Sequence, residues 1–176
     1  MHNHKTLTKY FRMDSINHLS NGKEKTNKEE LLPGLRQEYL AEQRIVQYTL
    51  SSSKLVTITA WSEVALETLL NWPRPQPYRA LHDLTHPGVG LVYSIAVEYD
   101  LTNICVAPGK RKVVDQLLCV YPEWSLALAV VVPASLSGQV VRAITTQAHT
   151  DPQQVRTKIF FARQAALQWL AKLDSP

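Results

Sequence analysis

The chain has 176 residues, of which 45% are hydrophobic and 19% are charged, and this composition is typical of one globular domain. Its two cysteines are too few for a disulfide scaffold or a four-cysteine zinc site. No run of 18 apolar residues is present, and the first 15 residues lack the apolar core of a secretory signal. The sequence therefore predicts a cytoplasmic protein without a membrane span.

The net charge of +4 is spread evenly along the chain. Residues 1–44 and residues 45–176 each carry an excess of two basic side chains, and the densest basic run is Lys110-Arg111-Lys112. Nucleic-acid-binding proteins concentrate basic residues in a patch or stripe. The charge pattern therefore predicts no nucleic-acid partner.

The chain divides into three parts. Residues 1–30 are polar with scattered apolar side chains, which predicts a disordered N-terminal tail. A short helical lead-in is predicted over residues 31–43, although Pro33-Gly34 interrupts it, because apolar residues recur there at spacings of three and four. The folded domain is predicted over residues 44–173.

A β-hairpin is predicted at the start of this domain. Residues 44–50 and 54–60 are rich in β-branched side chains, and Ser51-Ser52-Ser53 separates them as a turn. Ser62 is a suitable N-cap residue, and a helix is predicted from it to about Trp72, where prolines follow.

Strands and helices then alternate. Strands are predicted over residues 78–84, 126–132 and 158–161, and helices over residues 108–121, 136–146 and 163–173. The apolar run at 126–132 is typical of a strand covered on both faces of a parallel sheet, whereas the pattern assigns no structure to 86–107. The predicted fold class is an α/β layered domain with a leading hairpin and a mostly parallel sheet flanked by helices.

This order of elements resembles the STAS family, named for sulfate transporters and anti-sigma-factor antagonists, whose fold is shared with the CRAL-TRIO lipid-transfer domain. The resemblance rests on the segment Lys54–Thr59, the strand Tyr78–Thr85 with its Asp83-Leu84-Thr85 ending, and the Phe-rich strand and helix Ile159–Leu170. It extends over roughly residues 44–173 and is strongest to uncharacterised bacterial members. It implies a STAS-like fold.

The chain departs from the antagonists of that family at their phosphorylated turn. Those proteins carry an Asp-Ser pair at a helix start shortly after the corresponding strand, whereas Asp83-Leu84-Thr85 is followed here by His86-Pro87. Thr85 is the best placed hydroxyl near this strand, but the following residues do not favour a helix start. The resemblance therefore does not imply that this chain has the phosphorylation switch of the antagonists.

A second turn has more suitable local features. Ser135-Leu136-Ser137-Gly138 follows the apolar strand and precedes a predicted helix. The free N–H groups at a helix start bind anions, so Ser135, Ser137 and Gly138 are predicted to form an anion-binding or phosphorylation turn, with Thr85 a weaker candidate. The alternative is structural, with a serine N-cap and a glycine that permits close packing.

The segment from His82 to His86 contains residue types that bind zinc or iron. His82, Asp83 and His86 are close in sequence, but successive residues of a strand point to opposite faces of the sheet. The pattern therefore predicts no metal site and no cofactor.

These observations predict a non-enzymatic regulatory or binding module with a protein partner, which is not identified by the sequence and could be a second copy of the chain. One alternative is a binder of a small hydrophobic ligand or lipid, with the apolar segment 89–97 as a lid or pocket wall. The other alternative is a metal-dependent hydrolase built around His82, Asp83 and His86.

Overall fold

The structure, a computed structural model, describes residues 28–42, 44–89, 108–135, 139 and 154–173. Except for Gln139, the helix predicted over 136–146 lies outside these residues, as do most of the segment 86–107 and residues 1–27 of the predicted tail. The described strands are β1 (Lys28–Leu32), β2 (Leu35–Leu40), β3 (Ile45–Leu50), β4 (Tyr78–Asp83), β5 (Leu126–Val131) and β6 (Val155–Phe160). The described helices are α1 (Leu55–Leu70), α2 (Pro108–Val120) and α3 (Arg163–Lys172).

The six strands form one mixed sheet in which their order follows the chain. The pairs β1–β2 and β2–β3 are antiparallel, whereas the pairs β3–β4, β4–β5 and β5–β6 are parallel. The parallel part begins where α1 carries the chain from β3 to β4, as parallel strands require a crossover connection. The α/β class and the flanking helices are confirmed.

The helix predicted over residues 31–43 is wrong, because β1 and β2 form a hairpin there. Pro33-Gly34 is its turn, and Gly34 has a φ of +90°, which the third position of a type II turn requires and glycine tolerates. The apolar residues at helical spacing instead cover the sheet, with Leu35 fully buried.

The strand predicted over residues 54–60 is also wrong, because α1 begins at Leu55. The buried residues of α1 follow helical spacing, and they are Thr57, Ile58, Trp61, Ser62 and Leu69. Packing of this face onto the sheet outweighs the β-propensity of the Val-Thr-Ile-Thr segment. Ser62 is consequently not an N-cap; its Oγ donates to the Thr59 carbonyl oxygen within the helix at 2.9 Å.

The prediction that the apolar run at 126–132 is a strand covered on both faces is confirmed, but the strand is not central to the sheet, because β5 is the fifth of the six described strands and only β6 lies beyond it among them. β5 lies between β4 and β6, and Val130 and Val131 are both buried although their side chains face opposite sides of the sheet. Val130 belongs to the hydrophobic cluster that includes α1 and α2 residues. Val131 belongs to the cluster that includes Ala166 and Leu170 of α3.

The described helices therefore cover both faces of the sheet, with α1 and α2 on one face and α3 on the other. None of the helices in the described part of the chain has the length and apolar character needed to cross a membrane.

Candidate functional site

Strands β3 to β6 are parallel, so their carboxyl ends lie together at one end of the sheet. We call this end of the sheet, which is formed by strand ends and not by an outermost strand, the carboxyl edge. Ligands of open α/β sheets commonly bind outside this edge. The residues that follow these strands include Ser51–Lys54, Thr85-His86 and Ser135. Most of the side chains that the sequence singles out are found here.

His82 is part of the core and not of the surface. It is 5% exposed and lies on the face of β4 that packs against α1. The indole Nε1–H of Trp61 donates to His82 Nδ1 at 3.0 Å, and the imidazole stacks on the ring of Tyr48 with centroids 5.3 Å apart. These contacts hold the ring between α1 and β3.

Burial lowers the pKa of His82 from 6.5 to about 4, because the low-dielectric core disfavours the charged imidazole. The hydrogen bond from Trp61 requires an unprotonated Nδ1 and therefore acts in the same direction. His82 is accordingly neutral at physiological pH and serves as an acceptor within the core.

The three residues of the metal hypothesis are not brought together. Asp83 is partly exposed and pairs in register with Thr49 and Val131, on the face opposite to His82. His86 is exposed beyond the end of β4. Among the described residues, no group of three His, Cys, Asp or Glu side chains is arranged to hold a metal ion.

The Asp83 carboxylate organises the loop that follows β4. Its Oδ1 accepts hydrogen bonds from the Thr85 backbone N–H at 3.2 Å and from the Thr85 hydroxyl at 2.7 Å. This local turn is common for aspartate and fixes the direction of the chain after the strand. Thr85 is exposed, but its hydroxyl is engaged with the carboxylate.

Only part of the predicted anion turn lies within the described residues. Ser135 is exposed, and its carbonyl oxygen accepts a hydrogen bond from the Gln139 N–H at 3.0 Å. Ser137 and Gly138 lie outside the described residues. The anion-binding or phosphorylation turn stays a prediction.

Sequence reasoning missed a polar network at this edge. The Arg163 Nε and Nη2 atoms donate to Gln47 Oε1 at 3.0 and 2.7 Å, and Gln47 Nε2 donates to Thr49 Oγ1 at 3.0 Å. The network joins the start of α3 to β3, although the residues are 116 positions apart. No pattern among neighbouring residues of the sequence predicts a contact between Gln47 and Arg163.

The start of α1 is the most unusual feature of the carboxyl edge. Leu55 and Val56 are 79% and 66% exposed, although both are large and apolar. The N-cap residue Lys54 makes no side-chain capping hydrogen bond, and the first turn carries no acidic residue. A basic N-cap also opposes the positive end of the helix dipole. The helix start thus lacks the features that usually stabilise it.

The backbone before this helix start is nevertheless held firmly. The Ser51 N–H donates to the Gly34 carbonyl oxygen at 2.9 Å. Gly34 approaches Ser52 so closely that an added Cβ would lie 2.5 Å from the serine Cβ. On the other side, a Cβ at Gly88 would lie 2.8 Å from Ser53 Oγ. Two glycines thus allow neighbouring loops to support the segment that leads into α1.

The sequence could have located this helix, since Ile58, Trp61 and Leu69 are at helical spacing. It did not indicate that Leu55 and Val56 would be exposed, because alternation in the segment suggested a half-buried strand. We refer to Lys54, Leu55 and Val56 as the α1 surface.

Comparison with known protein families, curated proteins and solved structures finds no match to the chain.

Proposed function

We propose that this chain is a non-enzymatic binding module of STAS-like topology, and that it docks a segment of a partner protein on the α1 surface. The observation that carries the proposal is the exposure of Leu55 and Val56 at a firmly supported helix start. The proposal keeps the function predicted from the sequence, a binding module with a protein partner, and assigns the binding site to the α1 surface.

The energetic argument concerns the two apolar side chains. Burying one large aliphatic side chain contributes about 1.5–3 kcal/mol, so covering both could supply much of the affinity of a short peptide segment. Binding costs less when the surface is already in its bound conformation. The close approach of Gly34 and Gly88 to the serine loop, and the hydrogen bond from Ser51 to Gly34, support the helix start in the conformation that would bind a partner.

The chemistry of the α1 surface specifies the occupant. Leu55 and Val56 favour apolar side chains on the partner, and the exposed Lys54 beside them favours a carboxylate. The positive end of the α1 helix dipole, which no acidic residue of the first turn offsets, favours the same charge. We therefore infer a partner segment with two or more apolar residues next to Asp or Glu.

The two alternative functions have less support. His82 contacts Trp61 and Tyr48 in the core, so it is not placed to bind a metal ion as the metal-dependent hydrolase alternative requires. Val89, the first residue of the predicted apolar lid, is buried in the main core cluster, and residues 90–97 lie outside the described part of the chain.

A peptide-display selection tests the proposal. A random peptide library is selected on the full chain and counter-selected on the double variant Leu55→Ser/Val56→Ser. The expected outcome is a set of peptides that combine apolar residues with Asp or Glu. Leu70→Ser is the matched control, since Leu70 is a partly exposed apolar residue at the other end of the same helix.

The selected peptides should retain their affinity for the Leu70→Ser variant. Peptides that bind both variants as tightly as the unmodified chain would contradict the proposal. A concentration-dependent dimer that is lost only in the double variant would contradict the partner protein as occupant, because it would show that a second copy of the chain binds the α1 surface. Binding of lipid vesicles but of no peptide would favour the apolar-ligand alternative.

A further inference from the structure

A cavity of about 150 Å³ lies at the opposite end of the sheet from the α1 surface. It is formed at the amino ends of β4, β5 and β6, and we call it the amino-edge cavity. Its described lining includes Arg79, Ser125, Ala127, Arg156 and Leu173. The described lining carries two guanidinium groups and one hydroxyl, and none of its described side chains is a carboxylate.

The strand register explains how the two arginines meet. Arg79 is paired with Ala127 across β4 and β5, and Ala127 is paired with Arg156 across β5 and β6. Neighbouring strands are about 4.8 Å apart, so the two arginines are separated by roughly 10 Å across the sheet and project from the same face. The methyl group of Ala127 between them leaves space for a ligand.

The two arginines differ in their access to solvent. Arg79 is 3% exposed, whereas Arg156 is exposed. A guanidinium keeps its charge at all physiological pH values. It presents five N–H donors in a planar fork, so it can bind an oxyanion with two donors while it keeps its contacts within the protein.

We propose that the amino-edge cavity binds a small oxyanion of the phosphate class. Arg79 binds it from within, Arg156 closes on it from the mouth, and the Ser125 hydroxyl donates a further hydrogen bond. The inference does not depend on the proposed function, because the cavity and the α1 surface lie at opposite edges of the sheet.

The competing explanation is a structural one. Leu173, the C-cap residue of α3, lines this cavity, and arginine side chains often bind the last carbonyl oxygens of a helix. If this were the whole role of the arginines, added phosphate would leave the protein unchanged. The two explanations therefore make different predictions for the unmodified chain.

Titration with inorganic phosphate, at constant ionic strength with chloride as the reference salt, tests the proposal by amide chemical shifts. We expect shifts confined to residues near 79, 127 and 156, and a dissociation constant that rises by at least about tenfold in Arg156→Gln. Lys158→Gln is the matched control, because Lys158 is an exposed cation on the same strand and the same face. It should change the constant by less than about twofold.

A second variant tests the space between the two arginines. Ala127→Val fills space between the arginines without changing the charge, and it should weaken phosphate binding while both guanidinium groups remain. Three results would overturn the proposal: no phosphate response in the unmodified chain, equal losses in Arg156→Gln and Lys158→Gln, or shifts confined to the Ser135 turn.

Discussion

The imidazole ring of His82 stacks on the phenol ring of Tyr48, with the ring centroids 5.3 Å apart and the ring planes inclined by 19°. Nδ1 of the same imidazole accepts a hydrogen bond from the Trp61 indole N–H, and the two rings meet edge to face. One buried histidine thereby connects β4 to β3 and to α1. This arrangement explains why a residue with metal-binding chemistry contributes to stability here.

The first prediction concerns acid stability. The pKa of His82 is about 4 in the folded protein and about 6.5 in the unfolded chain, so the unfolded chain binds the proton more tightly. The contribution of the neutral imidazole is complete above about pH 6.5 and is lost as the pH falls toward 4. We expect the free energy of unfolding to drop by up to about 3 kcal/mol over this window, as measured by urea denaturation.

The variant His82→Phe is the control for this prediction. It retains an aromatic ring against Tyr48 but does not titrate, so its stability should depend less on pH between 6.5 and 4. An equally steep pH dependence in this variant would show that other groups cause the effect.

The second prediction concerns the indole of Trp61. Trp61→Phe removes the donor to His82 Nδ1 and leaves a smaller ring in the core, and we expect a loss of about 2–4 kcal/mol. In the His82→Phe background the same change should cost less, because the hydrogen bond is already absent. Additive losses in this double-mutant cycle would mean that the hydrogen bond contributes nothing.

The third prediction concerns the buried strand β5. Val131 is fully buried among α3 residues, so Val131→Asp places an unpaired charge in the core and should prevent soluble folding. Val113→Asp is the control, because Val113 lies partly exposed on α2. Thermal unfolding of Val131→Asp within a few degrees of the unmodified chain would contradict the position of β5.

The fourth prediction concerns the first hairpin. A chain that begins at Lys28 should unfold as cooperatively as the full chain. A chain that begins at Pro33 lacks β1, so β2 keeps β3 but loses its other antiparallel partner, and the packing of Leu31 and Leu32 on the core is lost. We expect the second chain to be less stable by more than about 2 kcal/mol in urea denaturation. Equal stability of the two chains would show that β1 is dispensable.

The sequence predicted those elements whose pattern has one physical interpretation. The run at 126–132 has no polar position, so the sequence favours a strand that is covered on both faces, as β5 is. Pro108 begins a helix and the Asp83 strand ends as expected, because proline and turn residues act locally.

Elements whose pattern has two interpretations were predicted wrongly. Residues 31–40 satisfy a helical spacing as well as a hairpin, and the Pro33-Gly34 turn decides in favour of the hairpin. Residues 54–60 have β-branched side chains, yet α1 forms because Trp61 and Leu69 bury its inner face. The amino-edge cavity depends on strand register, which the sequence does not specify between distant strands.

The most direct test of the proposed function is the affinity of one selected peptide for three forms of the chain, measured by fluorescence anisotropy. The account predicts that Leu55→Ser/Val56→Ser weakens binding by at least about tenfold, since it removes two apolar contacts of about 1 kcal/mol or more each. Leu70→Ser should leave the dissociation constant within about twofold. Equal affinity for all three forms would contradict the assignment of the α1 surface as the docking site.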